Sequence, residues 1–272
     1  MKHHSSSNPS GRSGFTLIEL MVTMAILSII LIMAVQVTET ARAASRLTES
    51  SSVNDAIARR TFDRIARDLS QMVVREDARI EFTSKLGNDE FAFITRTTGL
   101  TAGATVGDRS VSVVSYSLIH DADVGAKMVR GSRGHLFAGS GNDALNLNRD
   151  VPFPATPATN LHSLSNNVIR LEIEYLVESV SGVITRVVTA PTTSENLRGL
   201  VVTLVTLDDR ALRAIKPARL AALAANFPDA SAEDTLKVWS DKRNTLAKSG
   251  ISGMPKLVAQ SIHAYQRTFL IQ

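Results

Sequence analysis

The 272-residue chain contains no cysteine. That excludes disulfide staples, zinc–thiolate sites and thiol catalysis. It leaves export open, since an oxidising compartment does not oblige a protein to use cysteine. Aromatic residues make up only 5% of the chain against 44% hydrophobic residues, so a core must come mainly from Val, Ile, Leu and Ala. No proline occurs between Pro9 and Pro152, which frees the first half of the chain from the strongest helix breaker. Neither sign of charge dominates. There are 30 Lys and Arg against 26 Asp and Glu, a formal net charge of +4, and removing Lys2 and Arg12 takes it to +2. The basic residues form no run of five and do not alternate with aromatics, so charge gives no support for nucleic-acid binding. The length suits a tail plus one domain, or two small domains.

What is present begins at residue 15. After a short leader with two basic residues and several serines, residues 15–35 form an apolar run whose only ionisable member is Glu19. At helical rise the run is ~31 Å long, enough to cross the hydrocarbon core of a bilayer. A carboxylate in such a span is expensive, about 2.5–3.5 kcal/mol at its centre and less near its end, and it normally marks function with a specific partner. A secretory signal would be cut after the apolar stretch at small residues, and Ala41-Arg42-Ala43 offers a weak match. A plain signal anchor with an incidental glutamate is the other ordinary reading.

The segment Gly14-Phe15-Thr16-Leu17-Ile18-Glu19-Leu20 resembles the prepilin signal of type IV pilins and type II secretion pseudopilins. The resemblance implies that a membrane prepilin peptidase cuts between Gly14 and Phe15, that the apolar run stays in the mature protein, and that Phe15 is then N-methylated. It also implies that Glu19 meets the terminal ammonium of a neighbouring subunit. Opposite charges attract strongly in a low-dielectric setting and are costly if left alone, so Glu19 would act as a register mark during assembly. Many major pilins carry a helix-kinking proline about 22 residues into the mature chain. That position here is Gln36, which leans towards a straighter stalk and a minor subunit.

From 36 to about 75 the chain is free of Gly and Pro, and Val53, Ile57, Phe62, Ile65, Leu69, Met72 and Val73 recur at helical spacing. They make one apolar stripe, with Arg59, Arg60, Asp63, Arg64, Arg67 and Asp68 on the other face. Residues 15–75 as one helix would be ~90 Å long. A coiled-coil stalk would need a seven-residue repeat, which is absent.

Beyond 75 the apolar period changes to two. Strands are expected at Phe91-Ala92-Phe93-Ile94-Thr95 and over 111–119. A hairpin is expected around Gly131-Ser132-Arg133-Gly134. Ile169, Leu171, Ile173, Tyr175 and Val177 alternate with Arg170, Glu172 and Glu174, which predicts a strand with one buried face, paired with 183–188. Residues 199–207 form the most apolar strand, expected to be central, and 139–167 reads as a long loop. Helices are expected over 211–226, 232–247 and 257–264, before a terminal strand over 265–271.

The stalk Phe62-Asp63-Arg64-Ile65-Ala66-Arg67-Asp68-Leu69, the strand 111–119 and the late strand ending Leu207-Asp208-Asp209 resemble J-type minor pseudopilins. The turn Arg130-Gly131-Ser132-Arg133-Gly134 also resembles the C member of the prepilin-like "Verru_Chthon cassette" group, which would imply an exported pilin-like protein. The expected fold is α+β and pilin-like: a long N-terminal helix, membrane half plus domain half, packed on an antiparallel β-sheet domain, with a helical insertion at 211–258. The expected division is leader 1–14, transmembrane half 15–35, amphipathic helix 36–75 and globular domain 76–272. The partners implied are the peptidase, other minor and major pseudopilins and the inner-membrane secretion platform. The expected location is the inner membrane, with the C-terminal domain in the periplasm.

Catalytic patterns are missing. His3, His4, His120, His135, His162 and His263 share no metal-ligand spacing, and neither a Gly-x-Ser-x-Gly elbow nor a phosphate loop occurs. His120-Asp121-Ala122-Asp123 reads as a solvated turn. Residues 141–150 cluster Asn and Asp oxygens of the kind calcium uses, without the EF-hand order, so an ordinary turn is the expectation and no cofactor is required. The weighed functions are a minor pseudopilin at the pseudopilus tip, a minor pilin of a type IV pilus in adhesion or DNA uptake, and, from a different class, a membrane-tethered periplasmic enzyme.

Overall fold

The computed structural model describes residues 16–74, 80–83, 87–97, 112–134, 161–189, 196–231 and 234–271. The chain divides into two units at Glu49/Ser50. In the first unit the described residues belong to the leading part of helix α1, Leu17–Leu69, which runs through Gln36 without interruption.

The second unit takes in the end of α1 and two antiparallel sheets. The first sheet has the order β1-β2-β3-β4-β5, built from Ile80–Thr83, Glu90–Thr95, Ser112–Asp121, Gly125–Gly134 and Leu161–Ser165. The second has the order β7-β6-β8-β9, from Ile184–Val187, Val168–Glu178, Leu197–Thr206 and His263–Leu270. Between β8 and β9 lie α2 (Asp209–Ala214), a 3-10 turn (Pro217–Arg219), α3 (Leu220–Ala224), α4 (Thr235–Ser249) and α5 (Lys256–Gln260). The described fold is α+β, an apolar N-terminal helix followed by antiparallel sheets.

Two apolar cores hold this unit. Ala58, Phe62, Ile65 and Leu69 of α1 pack with Phe91, Phe93, Val114 and Met128 of the first sheet and Leu171, Ile173, Leu200 and Val202 of the second. The helical spacing of the α1 residues and the period-two spacing of the strand residues bring these side chains to one centre. A second core forms on the opposite face of the second sheet. There Ile169, Val205 and Leu207 meet Leu220, Leu223, Phe227, Trp239, Leu246 and Val258. A bulge between Val168 and Arg170 turns Ile169 and Arg170 towards the same face, as an extra residue in one strand does.

Several expectations change. Helix α1 stops at Leu69, short of 75, because the chain then joins β2: Val73 N donates to Ile94 O at 2.8 Å, Arg96 N to Gln71 O at 2.9 Å, and Met72 bridges Thr95. The hairpin expected at Gly131-Ser132-Arg133-Gly134 is a stretch of β4, with Gly131 opposite Ser115 and Gly134 opposite Ser112. The turn lies at Asp121-Ala122-Asp123-Val124. Asp121 Oδ1 accepts from Asp123 N at 2.7 Å and Val124 N at 2.9 Å, and Gly125 follows at φ +97°. Strand β5 occupies 161–165, within the segment read as loop, and β1 was not expected. Strand β6 is buried on both faces. Arg170, Glu172 and Glu174 are each less than 4% exposed, because Phe227, Asp229 and Ala230 meet the first two and Arg186 meets the third. Asp68, expected on a solvated face, is fully buried. The helix expected over 211–226 is broken at Ile215 and Lys216, before Pro217, and the last helix gives way to β9 at His263.

Candidate functional site

Thr16 begins the described chain and caps α1. Its carbonyl accepts from Glu19 N at 3.1 Å and Leu20 N at 3.2 Å, and its hydroxyl Oγ1 accepts from Glu19 N at 3.4 Å. This is the forward half of a capping box, the Thr-x-x-Glu spacing that satisfies orphan donors at a helix start. The sequence showed that spacing, and the reading of it as a cap was missed. Glu19 therefore stands in the first turn of the helix, where the macrodipole favours a negative charge. Its side chain is exposed and makes no salt bridge with any described residue. Gly14 and Phe15 lie outside the described residues.

The stretch Leu17–Arg42 is long and apolar enough to cross a membrane, with a mean hydropathy of 2.6 over its most apolar 18 residues, and its side chains are exposed. Its hydroxyls are satisfied within the helix: Thr23 donates to Leu20 O at 2.9 Å, Ser28 to Met24 O at 2.8 Å and Thr38 to Ala34 O at 2.8 Å. Such back-bonding lets Ser and Thr sit in an apolar medium. Glu19 is thus the one side chain in the apolar run whose charge needs something from outside.

Residues 9–35 match the family described as the prokaryotic N-terminal methylation motif. The chain carries a prepilin-type N-terminus. No curated protein matches it. Among solved structures it is similar to a type IV-like pilin from Thermus thermophilus, at 13% identity and a TM-score of 0.32, over 84% of this chain and 96% of that one.

The globular part of this prepilin-like chain holds three buried charge clusters that sequence reasoning missed. In the first, Arg130 donates from Nε to Asp68 Oδ2 at 2.5 Å and from Nη2 to Asp68 Oδ1 at 3.1 Å, and the Tyr116 hydroxyl donates to the same carboxylate. Burial and then the charge of Asp68 raise the Tyr116 pKa well above the usual phenol range, so it remains a donor. Burial by itself would lower Arg130, but its bond to Asp68 raises it. The cluster joins the end of α1 to β3 and β4.

In the second cluster Arg170 binds Glu172 at 2.9 Å and also Asp229, while Glu172 accepts from Ala230 N at 2.7 Å. The Arg170 guanidinium stands 5.6 Å from the Trp239 ring, and Trp239 Nε1 donates to Pro228 O at 2.8 Å. Burial, helped by the charge of Asp89, pushes Glu172 up to about 7, against the opposing pull of the Ala230 amide and Arg170. In the third, Arg186 clasps Glu174 and reaches Asp234 at 3.5 Å. Each cluster ties distant segments together by bidentate or shared arginine contacts.

The histidines do not converge. His120 Nε2 lies 3.0 Å from Ile169 O, and burial lowers its pKa. His263 is half-buried and lowered for the same reason. His162 is exposed on β5. His3, His4, His135 and the 141–150 oxygen cluster lie outside the described residues. Among the described residues no group of three His, Cys, Asp or Glu is arranged to hold a metal ion.

Proposed function

We propose that this protein is a structural assembly subunit, a minor pseudopilin of a type II secretion pseudopilus that acts at the tip or in initiation. The observation that carries the reading is the methylation motif over 9–35, with Glu19 the only ionisable residue of the apolar run that follows the leader. Prepilin peptidase removes residues 1–14 by cutting between Gly14 and Phe15, and Phe15 is N-methylated. The freed ammonium of one subunit and Glu19 of its neighbour then neutralise each other in lipid, where either alone is costly. Before assembly the protein is a single-pass inner-membrane protein with 36–75 and 76–272 in the periplasm. Its partners are the peptidase, other minor and major pseudopilins and the secretion platform, and the role needs no cofactor. Mass spectrometry of the mature protein tests this: methyl-Phe15 at the N-terminus is expected, and an intact Met1 or a start near Ala44 overturns it. Cross-linking in cells separates the secretion system from a type IV pilus, since minor pseudopilins are recovered in one case and pilins in the other.

A further inference from the structure

A groove of about 1060 Å³ lies within residues 50–272, between the side of α1 and strand β5. Its charge is lopsided. Arg59, Arg60 and Arg67 are exposed along α1 and line it, and none makes a salt bridge with a described carboxylate. Arg64 lies 3.6 Å from Asp68, but that carboxylate is already held by Arg130 through two bonds. The two acidic residues on the same wall are engaged by β9: Asp55 accepts from the Tyr265 hydroxyl at 2.5 Å, and Asp63 from Arg267 Nη1 at 2.7 Å. Among the described residues, Arg59, Arg60 and Arg67 therefore remain without a carboxylate partner along one wall.

The other wall has a different character. Strand β5 is the outermost strand of the first sheet, and among the described residues only β4 pairs with it. An edge strand offers a row of backbone donors and acceptors to an added chain. From Ser52 to Arg67 the groove follows about 22 Å of helix, the length of about six or seven extended residues. His162 is the one aromatic ring among its lining residues, so successive nucleic-acid bases would lack a series of rings on which to stack.

We infer that this groove binds an acidic, extended segment of a partner protein, which adds to the outer edge of β5 while its carboxylates face Arg59, Arg60 and Arg67. Backbone pairing supplies affinity and the arginines select acidic side chains, the division of labour seen when peptides add to sheet edges. The inference concerns the globular unit and stands whether or not the N-terminus is processed.

The test uses the full chain in detergent micelles and a fluorescent peptide of about eight residues alternating Glu and Val, read by anisotropy. Saturable binding is expected, weakened about tenfold or more in the triple variant R59E/R60E/R67E and unchanged in K248E, an exposed control on α4. Methylating alternate backbone amides of the peptide is expected to weaken binding to a similar degree. Circular dichroism checks that the triple variant keeps its fold, as exposed substitutions allow. Absence of peptide binding, insensitivity to the triple substitution, or insensitivity to backbone methylation overturns the inference. Tighter binding of a single-stranded oligonucleotide of equal charge also overturns it, in favour of a nucleic-acid ligand.

Discussion

The leading part of α1, up to Glu49, and the unit beginning at Ser50 solve the same physical problem in opposite ways. In the first, Leu17, Met21, Ile26, Ile30 and Met33 are each more than half exposed, and hydroxyls bond locally, as Thr23 does to Leu20 O. In the second, comparable side chains such as Phe93, Ile65 and Leu204 are sealed, and charges meet partners far away in sequence, such as Asp68 with Arg130. The second unit supplies its own apolar surroundings. The first does not, and a continuous apolar surface of that kind requires lipid or other helices. A helix whose hydrogen bonds are all internal is complete as a backbone and incomplete as a surface, which suits a segment that passes from membrane to assembly.

That contrast can be broken deliberately. The largest expected effect is on assembly: Glu19→Ala inserts in the membrane and keeps its globular fold but yields no assembled filament. Normal co-sedimentation of the variant with assembled subunits would remove the charge-pair account. Within the globular unit, Arg130→Ala leaves Asp68 buried without its main partner and is expected to destabilise by about 3–5 kcal/mol. Urea unfolding measures this, and the companion pair Asp68→Asn with Arg130→Met should be less damaging. Equal losses would mean that the cluster contributes packing alone.

Glu172 gives a pH-dependent test. Its pKa is about 7 in the fold against 4.5 ordinarily. Between those values the folded state keeps a proton that the unfolded chain has released. Its contribution is therefore fully present below 4.5 and lost as pH rises through 7. Relative to Glu172→Gln, stability should fall with rising pH across this window by up to about 1.4 kcal/mol per unit. Arg170, Asp89 and Asp229 surround the group and stay in place in Glu172→Gln, which should lose this fall and keep only the rise with pH expected from His120 and His263, whose lowered pKa values favour the fold as they lose their protons. Thermal melts at several pH values decide it. The smallest effect belongs to the first unit: Thr16→Ala removes a cap worth about 1 kcal/mol and should speed amide exchange only in the first turn of α1.

Much of the architecture was legible in the sequence. The apolar run with its single carboxylate identified the membrane-length helix. Alternation identified β6, apolar and β-branched runs identified β3, β8 and β9, and Asp121-Ala122-Asp123 was correctly read as a turn. Where the reading failed, the deciding contact was remote. Gly131 and Gly134 have turn-forming composition, but pairing with Ser115 and Ser112 keeps them in a strand. Arg170, Glu172 and Glu174 have the pattern of a solvated strand face, yet Asp229, Ala230 and Arg186 meet them there. The groove was invisible for the same reason, since its arginines and its edge strand are about a hundred residues apart in the chain.

The sequence by itself determined the features that depend on neighbours a few residues away: the helix, its cap, its lipid-compatible surface and the motif around Glu19. Tertiary structure alone decided which charges are buried, where α1 ends, and which arginines meet carboxylates. Those outcomes depend on desolvation and on partners that only folding brings within a few ångströms, and no local pattern encodes them.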